Sequence, residues 1–547
     1  MVVILFGAGT DFCLFLIARL REELAAGHSR TEAAGLALQN VTGALAGSAF
    51  TTILGLSMMA FAQYGKFVSS GPIVALCLFI TLIACLTFTP ALLRALGPLV
   101  FWPFSRKVLT PSAVKADEDP TGLWHAISNW VIRRPGMILL VSAWLAAPLI
   151  FYGTKVHVTH DLMADLDPQR MSVQGADMMR QYFQKGAIAP LTVVAQLSEQ
   201  NQGPEGAGDL LKPDGKYTVG YLHAMLHELD FVKDVRSLYL PVGGDPKNKR
   251  WVGGTAIREG AISGSPLAKD AFVSHIAPHA GRVTQLSVVL DADPFAQEAR
   301  DMMPRLQKAL ADFAANPPDP AWKGARFELA GTTPGMFDLE RITNSDRTRI
   351  QVLVLSAVYL VLIVLLRRPI DCTYLILTVL LSYWATIGIT QIFFEWLYGD
   401  SFHGLDWKVP IFLFVILIAI GQDYNIYLAT RVYEEQAKLG KVKGLKHAVV
   451  QTGGIITSCG VIMAGTFIAM ATGTLRSMIE LGFSLALGVL LDTFFVRSII
   501  VPCFYAIRAK HEERREAERL EQPAGEGSSG EKGPHHSRKS AESLAAN

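Results

Sequence analysis

Residues 421–435 read Gly421-Gln422-Asp423-Tyr424-Asn425-Ile426-Tyr427-Leu428-Ala429-Thr430-Arg431-Val432-Tyr433-Glu434-Glu435. Residues 9–23 read Gly9-Thr10-Asp11-Phe12-Cys13-Leu14-Phe15-Leu16-Ile17-Ala18-Arg19-Leu20-Arg21-Glu22-Glu23. Both fit G-x-D-aromatic-x-x-aromatic-L-x-x-R-x-x-E-E, and an offset of 412 aligns them without a gap. After a two-residue slip, Thr42-Gly43, Ser48 and Gly55 meet Thr452-Gly453, Ser458 and Gly465, and Pro90 then meets Pro502 at the original offset. Residues 1–93 are a parallel copy of about 413–505, an arrangement found in transporters built from two like halves.

Each copy lies in an apolar run. Of 547 residues, half are hydrophobic and 18% charged. The hydrophobic residues gather into runs long enough to cross a ~30 Å hydrocarbon core as helices. That excludes a soluble enzyme, a disordered scaffold and a nucleic-acid binder; 50 Lys+Arg against 48 Asp+Glu leave no basic excess for phosphates. Nine segments qualify as spans: 1–18, 43–63, 72–93, 136–155, 350–366, 370–394, 409–430, 449–472 and 480–507. One set of loops carries Arg19, Arg21, Arg30, Arg94, Arg106, Lys107, Arg133, Arg134, Arg367, Arg368, Arg431, Lys438, Lys441, Lys443 and Lys446, while the alternate set carries only Lys66, Lys408 and Arg476. The first set is expected on the cytoplasmic side, which puts 156–349 outside and the tail 508–547 inside. The opening segment lacks a basic n-region and holds Asp11 at its middle, so it reads as a span and not as a cleavable signal.

The segments then divide as 1–98 (three helices), 99–135 (cytoplasmic linker), 136–155 (one helix), 156–349 (outer domain), 350–507 (five helices) and 508–547 (disordered cytoplasmic tail). Within the outer domain, strands are expected at 191–197, 235–241, 285–292 and 326–331, and helices at 218–230 and 295–315. That order, β-α-β-β-α-β, is ferredoxin-like, with Gly- and Pro-rich inserts at 200–216 and 242–265. The stretches 19–41 and 431–448 are amphipathic and are expected as surface helices on the cytoplasmic side.

Each repeat Asp stands eight residues before its interfacial Arg, about 12 Å along a helix and so near mid-membrane. A carboxylate there costs ~2.5–3.5 kcal/mol on insertion scales and is retained for a pathway, a relay or an ion site. A carboxyl removed from water is favoured in its neutral form, which brings proton uptake near neutral pH within reach. One such Asp can simply hydrogen-bond a neighbouring helix; two at equivalent places favour function.

With the trailing TGG-I-I-T-S (452–458) and LGVLLDTFFVRSIIVP (487–502), these motifs resemble the MMPL branch of the resistance-nodulation-division (RND) superfamily over about 1–510. The resemblance implies a polytopic α-helical bundle with an extracytoplasmic porter domain in the bacterial inner membrane. It implies outward export of lipids or other hydrophobic molecules, driven by proton entry, with Asp11, Asp423 and Tyr424 as the proton relay and protons as the coupling ion. Two departures stand out. Phe12 replaces the first motif's tyrosine, and the chain opens inside the family's fourth helix. By that pattern it is N-terminally truncated, nine spans as 3 + 6, and the missing helices belong upstream of Met1 or on a partner chain. Membrane lipids and a lipidic substrate are the expected contacts, with a homo-oligomer or partner chain in addition. A non-transporting scaffold, half of a split transporter, or a protein-export assistant are the competing readings.

Other candidates are weaker. Asp492, in LLDTFFVR, aligns with Ile80 and so is unpaired in the repeat; it either supports the relay or pairs with Arg497 or a helix neighbour. Ser458, Thr452 and Thr457, with Gly453, Gly454, Gly460 and Gly465, form a small-residue face suited to close packing or to hydroxyl bridging toward Asp423. Asn425 is expected to bond across helices, with relay support as the alternative. His157-x-x-His160-Asp161 resembles a metal cluster, but an extended strand points the two imidazoles to opposite sides; no metal is expected. Cys13, Cys77, Cys85, Cys372, Cys459 and Cys503 lie in apolar segments as packing residues, and His535 and His536 in the tail read as solvated. GDPKNK (244–249) lacks the P-loop glycines, so ATP is not the expected energy source. No enzymatic motif or cofactor fingerprint is present.

Overall fold

The computed structural model describes residues 2–102, 122–198, 209–244 and 263–521. Most of the 99–135 linker, most of both expected inserts, GDPKNK from Asp245 on, and the tail with His535 and His536 lie outside these. Among the described residues nine helices are long and apolar enough to cross a membrane.

The chain opens with α1 (Val2–Ala25), α2 (Arg30–Ser57) and α3 (Gly65–Leu96), followed by a short α4 (Leu123–Arg133) and the spanning α5 (Pro135–Thr154). The unit that the loop charges are expected to place outside, termed the outer unit, follows: β1 (Val158–Thr159), α6 (Met171–Tyr182), β2 (Leu191–Gln196), α7 (Gly215–His227), β3 (Val232–Arg236), α8 (Pro266–Phe272), β4 (Val283–Leu290), α9 (Gln297–Ala315) and β5 (Arg326–Ala330). Next come α10 (Thr332–Leu366), α11 (Pro369–Tyr398), β6 (Leu405–Asp406), α12 (Lys408–Leu439), α13 (Lys441–Ile468) and α14 (Arg476–Leu491). The last span continues through a π-helical stretch, Asp492–Ile500, into α15 (Val501–Glu521).

The stretches 19–41 and 431–448 are not separate surface helices. With no breaker before Gly27 and Gly440, α1 and α12 run straight out of their apolar segments, and both glycines take the left-handed backbone that ends a helix (φ +95° and +86°). α2 restarts at a capping box, in which Ser29 Oγ accepts from the Glu32 amide and the Glu32 carboxylate accepts from the Ser29 amide. These polar stretches are therefore the ends of two helical hairpins, α1–α2 and α12–α13.

In the outer unit, four antiparallel strands lie in the order β3-β4-β2-β5. Alternate residues of β2 (Leu191, Val193, Ala195) and of β4 (Leu286, Val288, Leu290) face a core with Leu222 and Leu226 of α7 and Met303, Leu306 and Leu310 of α9. The strand expected at 235–241 sits at 232–236 instead. Ser237 stops it: its hydroxyl accepts from the Tyr239 and Leu240 amides, turning Leu238–Leu240 out of the sheet. A second, two-residue sheet was not expected. β1 and β6 pair in parallel, Val158 with Leu405 and Thr159 with Asp406, tying the start of the outer unit to the segment before α12.

The helical spans share one core. Besides packing within each repeat, α1 packs on α13 and α12 on α2, so the two repeats also interlock. Coverage is uneven: 89% of the most apolar stretch of α12 is buried, against 28% of that of α1.

Candidate functional site

The repeat motif brings Asp11 and Asp423 onto α1 and α12, the two helices that each pack on their own half and on the other. Tyr424, buried, donates its phenol to Asp11 Oδ2 across that interface. Asp423, one residue earlier on α12, turns to α2 instead. It accepts from Thr51 (3.2 Å) and Thr52 (3.2 and 3.3 Å to its two oxygens) and stands close enough to Asp11 for the two carboxyls to interact. Phe12 holds Tyr424's place in the other copy, is buried in the core, and has no hydroxyl to offer.

This asymmetry has a compensating counterpart. Under the alignment that pairs Ser48 with Ser458, Thr51 and Thr52 correspond to Val461 and Ile462. One carboxyl is therefore served by a tyrosine and the other by two threonines. The sequence reading identified Asp11, Asp423, Tyr424 and Phe12 but missed Thr51 and Thr52, because which face of α2 meets α12 is a matter of packing.

Asp492 is buried and pairs with Arg497, also buried; the pairing alternative considered for it is the geometry found. The Arg497 guanidinium also donates to the Gly421 carbonyl (2.9 Å) and lies 4.1 Å from the centre of the Tyr424 ring. Asp492, Arg497, Tyr424 and Asp11 thus form a continuous polar file across α1, α12 and the last span. The π-helical stretch makes it possible: residues five apart come into line, as shown by the Ser498 hydroxyl bonding the Thr493 carbonyl at 2.9 Å. Asp11 Oδ1, Asp492 Oδ1, and Arg497 Nε and Nη1 have no hydrogen-bond partner among the described residues, so the file retains acceptor and donor capacity. Arg497 was detectable in sequence as a cation in an apolar run.

Other candidates fall away from the site. Ser458 bonds the Gly454 carbonyl (2.9 Å), Thr452 that of Ala448 (2.8 Å) and Thr457 that of Gly453 (2.9 Å), so none bridges to Asp423. The adjacent Gly453 admits the Trp124 indole of α4, as the packing reading expects. Asn425 bonds Gln422 on its own helix (3.5 Å) and not a neighbouring one. His160 is occupied otherwise: its Nε2 lies 3.1 Å from Thr343 Oγ1, its ring stacks on Trp407, and burial holds it down at about 4. Asp161 caps the Met163 amide (2.8 Å).

The R-x-x-E-E ends carry a further unforeseen role. The second Glu of each is buried and grips the partner helix of its hairpin, Glu23 through Asn40 (3.3 Å) and Glu435 through His447 (2.8 Å), while each also pairs with the motif Arg on its own helix, Arg19 (3.0 Å) and Arg431 (3.6 Å). At the outer end, Asp165 accepts from the Ser477 amide (2.7 Å) and hydroxyl (3.0 Å) and pairs with Lys408 (3.3 Å). It joins the first turns of α12 and α14, whose spans carry Tyr424 and Arg497.

Known proteins align along nearly the whole chain. The MMPL family profile matches residues 1–138 and 165–526. An apo-petrobactin exporter of Bacillus anthracis is 29% identical over 93% of this chain and 62% of its own length. The sulfolipid-1 exporter MmpL8 of Mycobacterium tuberculosis is 35% identical over 43% of this chain and 21% of its own. A crystal structure of SecDF in a super-membrane-facing form overlaps 95% of this chain and 55% of that one at 14% identity, with a TM-score of 0.47. The chain thus spans about three fifths of the length of the first of these relatives. With nine membrane-length helices among its described residues and a family match over most of its length, the chain is a multi-pass membrane protein and belongs to the MMPL family.

Proposed function

We propose that the chain takes part in proton-driven export of lipids or other hydrophobic molecules, with Asp11, Asp423 and Tyr424 passing the proton. One observation carries this reading: the Tyr424 phenol bonds the Asp11 carboxyl across the two repeats, beside Asp423 on the same helix. Asp11, Asp423 and Asp492 share this core with one guanidinium, a net charge of −2 when all are ionised, and burial of unpaired charge is costly. Taking up two protons neutralises the cluster. A charge change of that size at the crossing of α1 and α12 gives the two halves a reason to shift. The names of the relatives, exporters of apo-petrobactin and of sulfolipid-1, support a lipidic or other hydrophobic cargo.

The finer parts of this reading are ours as well. The strand order β3-β4-β2-β5 with α7 and α9 on one face supports a ferredoxin-like porter unit over 156–349. The arginine-rich loops support placing that unit outside and residues 508–547 in the cytoplasm of an inner membrane. The segment map of the sequence reading, with a 3 + 6 division of spans, serves as the working layout.

The test is proton uptake by the full chain in liposomes under an imposed pH gradient, followed with an internal pH dye. Asp423→Asn is expected to remove the uptake while leaving insertion intact; uptake at the wild-type rate would end the assignment. A second reading, a scaffold or one half of a split transporter, draws on Phe12 and on the uncovered face of α1. It predicts no uptake by the chain alone.

A further inference from the structure

The first repeat answers Arg497 with a thiol. At the offset of 412, Cys13 stands where the second copy has Asn425, and Cys85 where it has Arg497. The geometry carries over although the residues change. Arg497 donates to the carbonyl of Gly421; the Cys85 sulfur lies 3.8 Å from the carbonyl of Gly9, the equivalent glycine. The Cys85 sulfur also meets that of Cys13, across from α3 to α1, at 3.8 Å, and Thr89 Oγ1 lies 3.4 Å from the Cys13 sulfur. The two helices keep one register here, with Gly9 against Thr81 one turn before Cys13 against Cys85. A Cβ on Gly9 would stand 3.2 Å from the Thr81 methyl, so a glycine at this place lets the backbones draw together. Cys85 is buried and Cys13 half-buried, and both thiols are free.

We propose that Cys13 and Cys85 are an oxidation site: a hydroperoxide converts the pair to a disulfide that ties α1 to α3, and the tie arrests the relay. Packing alone asks only for small apolar side chains at these positions, which alanine would supply. Two sulfurs in contact add a bond that alanine cannot make. They need about 1.8 Å of further approach to form it, which rotation of the two side chains supplies. Cys13, the more exposed, reacts first. Its sulfur attacks one oxygen of hydrogen peroxide, the O–O bond breaks, and the thiol proton leaves with the other oxygen as water, giving a sulfenic acid. The Cys85 sulfur then attacks the Cys13 sulfur. The S–S bond forms, the S–O bond breaks, and the departing hydroxyl takes the Cys85 proton as a second water. The two thiols lose two electrons and one peroxide is reduced to two waters. Cys13 lies two residues past Asp11, so the tie falls on the helix whose shift against α12 the charge change drives. The arrest rests on the proton relay proposed above; formation of the bond does not.

The reduced full chain, in liposomes with an internal pH dye, is treated with hydrogen peroxide, and a sample is digested without reductant for mass spectrometry. The expected results are a peptide pair joined through Cys13 and Cys85, loss of proton uptake in step with its yield, and recovery of uptake with dithiothreitol. Cys13→Ser and Cys85→Ser are expected to take up protons at the reduced wild-type rate and to be indifferent to peroxide. Cys77→Ser, two turns earlier on α3, stays as sensitive as the wild type. Absence of the joined peptides would overturn the proposal, as would uptake that persists after they form, or inhibition that survives in Cys85→Ser. The joined peptides are expected in Asp423→Asn as well. Failure of the relay reading, seen as no uptake by the reduced wild type, is thereby told apart from failure of the site, seen as no joined peptides in either chain.

Discussion

Tyr424 is where the site is narrowest. Its phenol is the only side-chain donor to Asp11 among the described residues, since Phe12 leaves the opposite copy without one. Under the proposed mechanism Tyr424→Phe removes the group that hands a proton across the repeat, and the proton flux of the reconstituted chain is expected to fall about a hundredfold, the lower end of what a positioned proton donor contributes. Arg497 presents a different balance. Its partner Asp492 is fully enclosed, so Arg497→Met leaves a buried carboxyl without a counter-charge and is expected to lower stability by about 3–5 kcal/mol. Adding Asp492→Leu is expected to recover most of that loss, because an apolar pair of similar volume has no charge to desolvate. Thermal unfolding of the two variants in detergent checks both expectations. Asp11 and Asp423 were legible in the sequence because mid-span carboxylates are rare and these two repeat. Thr51 and Thr52 were recognised only in three dimensions, since a hydroxyl's partner depends on which helix faces arrive opposite each other.

Among the elements, the π-helical stretch Asp492–Ile500 decides the most. It adds one residue per turn and lets Arg497 reach Asp492, Gly421 and the Tyr424 ring together. Deleting Phe495, partly exposed on the far side, is expected to return the segment to α-helical spacing and to swing Arg497 away from Tyr424. Helical content measured by circular dichroism should then stay near wild type while proton flux is lost; flux at the wild-type rate would show the stretch to be incidental. The outer ends of α12 and α14 depend on Asp165. Burial alone would raise this carboxyl, but the Ser477 amide and hydroxyl together with Lys408 outweigh it and hold it below its usual range. Its stabilising contribution is therefore complete above the ordinary carboxylate range and is lost as pH falls through and below it. Asp165→Asn is expected to cost about 1–3 kcal/mol, seen as faster amide exchange over residues 158–166. Each of the nine segments read from hydropathy falls on one of the nine membrane-length helices among the described residues. Hydropathy could not place the π stretch or the β1–β6 pairing, which rest on hydrogen bonds between residues that look unremarkable in one dimension.

On the scale of the whole molecule, the outer unit and the bundle respond to pH separately. His160 and His223 are both buried outside the spans, His160 beside Thr343 and His223 beside Ser237, and burial pushes each down to about 4 from 6.5. Each is neutral in the folded unit, so each contributes fully above pH 6.5; that contribution drains away as the unfolded chain takes up protons between 6.5 and 4. The outer unit is thus expected to lose thermal stability across this window, and His223→Gln to flatten the dependence, as followed by unfolding between pH 4 and 8. An unchanged slope would assign the effect elsewhere.

The crossed repeats also set a timetable for synthesis. α1 is made long before α12: the partner of its Asp11, Tyr424, follows 413 residues later. At about 5–20 residues per second, α1 waits roughly 20–80 s for that partner. Through that interval a mid-membrane carboxyl has no phenol to satisfy it, and neither repeat can complete its core without the other. A nascent chain halted before α12 should therefore be a target for membrane quality control, recognised by the same acid that the finished protein encloses.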